Sequence, residues 1–238
     1  MIRTALLCSL LLLGCGGSTA TPDTGPKSPS GVTGGVTGGM TGRVTVTEPT
    51  PEPVTLEYAT PSLHDEGLTY ADLAADFDRF AEVALRHAAD PETTVELFFV
   101  ALIVLGEDRD RGYDYLTQVL DPREWNVSDK RAVGRTIARS SKDLFVMFRG
   151  KPDILAAYCG ATPAARYADG DLANCRIQFH RSYSPRSQGL VDDRAAYFVD
   201  IGKGAPRPRP MKLKREDGRW FVSSYSGLLT GVIKPADE

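Results

Sequence analysis

Four cysteines, three histidines and two short aspartate runs are the residues of this 238-residue chain equipped to hold a metal, close a bridge or attack a substrate. Their spacing argues against most of that chemistry. His64, His87 and His180 fall in separate stretches and share no i, i+4 pair, so coordination by them would require distant segments to converge, and no metal site is assigned. Asp108-Arg109-Asp110-Arg111-Gly112 and Asp169-Gly170-Asp171 carry the alternating carboxylates of a calcium loop. The first has its glycine one place early and Val119 where a bidentate glutamate belongs, so both read as solvated turns. No Gly-x-Ser-x-Gly elbow, phosphate-cradling loop or dinucleotide fingerprint occurs, and the serines near Tyr183 have no assignable base. No catalytic residue and no cofactor are assigned.

The cysteines divide by position. Cys8 and Cys15 lie at the start, where Arg3 supplies a positive flank and Ala5 to Leu13 form an apolar run interrupted only by Cys8 and Ser9. That run is far shorter than the ~20 apolar residues of a spanning helix, so residues 1–14 read as an export signal rather than a membrane anchor. It closes on Leu12-Leu13-Gly14-Cys15, which resembles the lipobox of bacterial lipoproteins. The resemblance implies that diacylglycerol is attached to the Cys15 thiol, that cleavage leaves Cys15 as the new N-terminus, and that acyl chains hold the protein at a membrane of the cell envelope. The alternative is an ordinary secretory signal with a chance cysteine. Each buried methylene contributes about 0.8 kcal/mol, and two or more chains anchor stably where one does not. Gly16 and Gly17 follow the cysteine with no aspartate, which favours the outer membrane if the host is Gram-negative.

Export bears on the remaining pair. Cys159 and Cys175, sixteen positions apart with no second ligand pair, read as a disulfide in an oxidising compartment, worth roughly 3 kcal/mol in the chain-entropy model. Two free buried thiols are the alternative. Between Gly16 and Pro53 the chain is Gly, Thr, Ser, Pro and Val with scarcely a large apolar side chain, a composition expected to stay disordered. Residues 15–53 are therefore the anchor and a tether with a reach of roughly 35 Å. That leaves 54–238 for one domain, ample for a single core.

A net charge of −3 from 28 basic and 31 acidic residues points neither to a nucleic-acid binder nor to a polyanionic tail. Charge is concentrated in one place. From Lys203 to Arg219, Lys203, Arg207, Arg209, Lys212, Lys214, Arg215 and Arg219 face only Glu216 and Asp217. On a tethered protein, Lys203, Arg207, Arg209, Lys212 and Lys214 could meet anionic headgroups or an anionic envelope polymer, at about 1 kcal/mol per cation. Alternatively, the lysines and prolines guard an exposed strand edge against aggregation.

The elements that position these residues follow from periodicity. Thr69 with Asp72 caps a helix expected from Tyr70 to Ala88. Asp90-Pro91-Glu92 opens a second, whose run Leu97 to Leu105 is apolar all round and must be a buried core helix. A third is expected over Asp108–Leu120, ended by Pro122, and a fourth from Asp129 to Arg149, capped by Ser128 and stopped by Gly150 and Pro152. Past Asp153 the period becomes two. Ile177 to Tyr183, Ala195 to Ile201, Met211 to Arg215 and Arg219 to Tyr225 alternate as strands, the last two joined by a tight turn at Asp217-Gly218. Whether Val54 to Tyr58 adds an edge strand stays open. The expected fold is α+β, about four N-terminal helices packed on a C-terminal antiparallel sheet of three to four strands.

The segments Glu96-Leu97-Phe98-Phe99-Val100-Ala101, Tyr158-Cys159-Gly160-Ala161-Thr162-Pro163, Pro206-Arg207-Pro208, Met211-Lys212-Leu213-Lys214, Gly218-Arg219-Trp220-Phe221 and Tyr225-Ser226-Gly227-Leu228-Leu229 resemble an uncharacterised bacterial domain family of unknown function, over about residues 68–235. The resemblance brings no activity and no site residues. The chain thus reads as a membrane-tethered envelope lipoprotein, its domain a non-catalytic binding or assembly module with an envelope protein or anionic polymer as partner. The other reading is an enzyme or small-ligand carrier with a pocket between helices and sheet. An exposed aromatic patch would favour the first, with Tyr158, Tyr167 and Tyr183 as its candidates; a large apolar pocket would favour the second.

Overall fold

The computed structural model describes residues 62–182 and 193–234. The chain divides into units Met1–Pro51 and Glu52–Glu238, and every described residue belongs to the second. Cys15, the tether, Val54–Tyr58 and Tyr183 lie outside the described residues.

The fold is α+β. Seven α-helices, a two-stranded hairpin and a four-stranded antiparallel sheet occur among the described residues. Helix α1 (Ser62–Asp65) leads into α2 (Tyr70–Ala75), which starts from the expected capping box: Thr69 Oγ1 accepts from the Asp72 amide at 3.1 Å, and the Thr69 amide donates to the Asp72 carboxylate at 3.4 Å. The single helix expected over 70–88 is two. Asp76 turns extended, with φ −124° and ψ 106°, and its carboxylate accepts from the Arg79 amide to cap α3 (Phe77–Arg86). An aspartate offers the backbone an alternative partner, and here that local competition breaks the helix.

Asp90 and Pro91 open α4 (Pro91–Glu107), with the Asp90 carboxylate accepting from the Glu92 and Thr93 amides. From Thr93 to Leu105 this helix is buried on every side, the central element around which the others pack. Asp108 caps α5 (Arg109–Val119) through the Asp110 and Arg111 amides, and a 3-10 turn at Pro122–Glu124 follows.

The long helix expected from Asp129 is also corrected. Ser128 caps nothing: its amide donates to the Gly134 carbonyl at 2.9 Å and closes the loop of a hairpin, β1 (Trp125–Val127) against β2 (Arg135–Ile137). Gly134 takes a φ of +68°, which ends any helical run, and Val127, Thr136 and Ile137 are β-branched residues suited to strands. Helix α6 (Arg139–Arg149) begins only afterwards and turns Ser141, Phe145 and Phe148 inward. Pro152 then starts an unforeseen helix, α7 (Pro152–Tyr158), because a proline that stops one helix is equally suited to the first position of the next.

The sheet runs β3 (Phe179–Arg181), β4 (Arg194–Val199), β5 (Arg209–Glu216) and β6 (Arg219–Ser224) in sequence order, an antiparallel meander. Asp217 and Gly218, at φ +50° and +79°, make the tight β5–β6 turn. The inward face carries Tyr197, Val199, Met211, Leu213, Trp220 and Val222 against the helices, and the buried side chains of both layers form one cluster. Strand β6 has its outer edge sealed: the Trp220 amide donates to the Ala88 carbonyl at 2.8 Å and the Asp121 amide to the Val222 carbonyl at 3.0 Å. Strand β5 pairs with β4 and β6, so its lysines and prolines do not guard an edge, contrary to that expectation.

Candidate functional site

The structure disperses the residues singled out for chemistry. His64 stacks on Tyr70 at 5.3 Å, His87 Nε2 lies 2.9 Å from the Glu66 carboxylate, and His180 stacks on Phe198. Among the described residues no group of three or more His, Cys, Asp or Glu side chains could hold a metal ion. The two aspartate runs are helix caps and turns. Asp108 sits below the usual carboxylate range because the Arg111 amide donates to it, Asp169 because the Thr162 amide does, and Asp171 because Asn174 does.

The basic run also separates. Lys203, Arg207 and Lys212 are exposed, Lys212 on the outer face of the sheet. Arg209 donates to the Gly231 carbonyl at 2.7 Å and clasps the C-terminal segment, and Lys214 pairs with Glu216 at 3.3 Å. Tyr158 and Tyr167 form no surface patch: both are buried, their hydroxyls donating to the Leu228 and Ile233 carbonyls, and burial pushes both phenols upward.

What the fold does assemble lies beside a disulfide. Cys159, at the end of α7, is bridged to Cys175, with Cα atoms 4.8 Å apart. The bridge fixes an extended segment leading into β3, in which Cys175, Ile177 and Phe179 are buried while Asn174, Arg176 and Gln178 alternate outward. Across from it, the Asp200 amide donates to the Gln178 carbonyl at 2.8 Å, and the Asp200 carboxylate accepts from the Gly202 amide at 2.9 Å. The 3-10 turn Gly202–Gly204 packs on α7 so closely that a Cβ on Gly204 would lie 2.8 Å from that of Ala157. These contacts enclose a cleft of about 290 Å³ lined by Asn174, Arg176, Gln178, Asp200 and the last residues of α7. Arg176 and Asp200 line it without an ion pair between them. A second cleft, of about 320 Å³, differs in this respect: there Arg86 pairs with Glu66 at 3.1 Å and with Glu82 at 3.7 Å.

Behind the first cleft stands a polar cluster that the sequence reading did not single out. Glu96 is fully buried in α4, and its carboxylate accepts from the Leu63 amide at 3.2 Å, tying α1 to the core. The Tyr70 hydroxyl is driven up by burial and then by the nearby Glu96 charge. His64 is held down by burial first and by the Arg176 guanidinium second. The available signal was a lone carboxylate at the head of the apolar stretch that ends at Leu105.

Residues 72–236 match the model of a family described as a domain of unknown function, DUF6935. The chain belongs to the DUF6935 family. The DUF6935 match takes in both bridged cysteines, Arg176 and Asp200, and leaves α1 outside. No curated protein and no solved structure matches the chain.

Proposed function

We propose that the chain is a lipid-anchored protein of a bacterial cell envelope and that its DUF6935 domain is a non-catalytic binding or assembly module on a Gly/Thr/Pro-rich tether. The observation that carries this reading is Leu12-Leu13-Gly14-Cys15 at the end of a short apolar run. The Cys159–Cys175 bridge supports it, since such bridges belong to oxidising compartments. Among the described residues the buried side chains of helices and sheet form one continuous apolar cluster, which supports a module that binds at its surface over an enzyme or carrier with an apolar pocket there.

The partners of this module are the membrane, through acyl chains on Cys15, and an envelope protein or anionic polymer, met by the exposed Lys203, Arg207 and Lys212. Growth with an alkyne fatty acid tests the anchor: the parent chain takes up label and Cys15→Ala does not. Label retained by Cys15→Ala refutes the anchor. Pelleting with vesicles containing anionic lipid tests the charged contact, which should weaken at high salt and with Lys203→Gln, Arg207→Gln and Lys212→Gln combined. Salt-insensitive or absent pelleting removes it.

A further inference from the structure

We infer that the cleft beside the Cys159–Cys175 bridge binds a small zwitterion, an α-amino acid, with its carboxylate on Arg176 and its ammonium toward Asp200 and the C-terminal end of α7. The inference deepens the binding-module reading and rests on it, but not on the acyl anchor. In the second cleft Arg86 pairs with Glu66 and Glu82, while Arg79 makes no ion pair among the described residues. Arg176 and Asp200 do not pair with each other. The bridge fixes the backbone on which the exposed Arg176 side chain stands, while the Asp200 amide donates to the Gln178 carbonyl and the Asp200 carboxylate accepts from the Gly202 amide. A cleft that presents a guanidinium and a carboxylate not paired with each other is matched by a molecule carrying both complements, and the Asp200 carboxylate, already held by the Gly202 amide, loses little freedom on binding.

The surrounding chemistry agrees at the carboxylate end. A guanidinium offers a carboxylate two parallel donors, and the neighbouring Asn174 and Gln178 bring amide donors and acceptors to the same wall. The other wall is formed by Ala157 to Gly160 at the end of α7. At about 290 Å³ the cleft sits at the small end of ligand sites, in keeping with a single amino acid.

The test uses the full-length chain in detergent. Glycine, each of the nineteen other common amino acids in its L form, and D-alanine are added at millimolar concentration in a thermal-shift assay, and the most stabilising one is titrated by calorimetry alongside its α-amide and its N-acetyl derivative. At least one amino acid should bind, and both derivatives, each lacking one charge, should bind at least about tenfold more weakly. Arg176→Gln and Asp200→Asn should each weaken binding by at least about tenfold while melting within a few degrees of the parent, whereas Arg194→Gln, an exposed arginine on β4, should leave it unchanged. If no amino acid binds, if a derivative binds as well as its parent, or if both cleft variants retain full affinity, the inference is wrong. Loss of binding in a chain whose Cys15 still takes up fatty acid would count against the cleft alone.

Discussion

Gly112→Ala and Gly106→Ala should move stability in opposite directions, although both glycines are helical. In a helix interior, Gly→Ala alone should stabilise by up to about 1 kcal/mol. At Gly106, near the end of α4, a Cβ would meet nothing within 4 Å, so the gain should appear as a melting temperature raised by about 2–4 °C at most. At Gly112 the same atom would lie 2.3 Å from Leu105 Cα, 2.6 Å from Leu105 Cβ and 2.7 Å from Leu105 N. Carbon atoms rest at about 3.5–4.0 Å, so α4 and α5 would have to part by more than about 1 Å, and the atoms in the way belong largely to backbone. Overpacking of that kind costs about 1–3 kcal/mol or more, and α4 is packed from every side and has nowhere to move. After the propensity gain is subtracted, Gly112→Ala should destabilise by about 2 kcal/mol and lower the melting temperature by about 4–8 °C. Urea unfolding followed by far-UV circular dichroism measures both variants. A Gly112→Ala protein as stable as the parent, or two variants shifting the same way, would refute the close crossing of α4 and α5.

Asp76→Ala should cost about 1 kcal/mol in urea unfolding, the usual loss on removing an N-cap, because the Arg79 amide loses its acceptor. Reducing the Cys159–Cys175 bridge should lower stability by roughly 3 kcal/mol, seen as a lower denaturant midpoint in dithiothreitol, and a chain cleaved and acylated at Cys15 as proposed should, when oxidised, titrate no free thiol under denaturing conditions. Asp121, a buried carboxylate, sits below its ordinary value chiefly through the hydrogen bonds from Arg123. Its folded value is depressed, so the stability it lends is complete above about pH 4 and is lost as the pH falls through that lower value. Asp121→Asn should therefore lower stability at pH 7 and flatten the acid limb of the stability profile below about pH 4.

The elements legible in the sequence were those specified by neighbours along the chain. Thr69 with Asp72, Asp90 with Pro91, Asp108, and Asp217 with Gly218 each fix backbone geometry within three or four residues, and each does so in the structure. Asp76 falls inside the single helix expected over 70–88, because its capping role depends on whether the chain turns there. The β1–β2 hairpin was hidden by strands of three residues, too short for a period of two to stand out against an overlapping helical one. The internal position of β5 is set by pairing with β4, a tertiary fact that no local pattern carries. The candidate cleft divides the same way. Alternation of Arg176 and Gln178 with Ile177 and Phe179 is visible in sequence, while its opposite wall comes from α7 and from Asp200 beyond β4.

The covalent link between Cys159 and Cys175 spans a stretch that is mostly exposed from Asp169 to Asn174 and turns through left-handed backbone at Arg166 and Tyr167. A protease that cleaved this stretch would produce two polypeptides but not two molecules. The upstream piece would keep α1 to α7 and the downstream piece the sheet, still stapled at the point where Arg176 meets the end of α7. A nick there would leave the pieces joined, visible on a gel only after reductant is added.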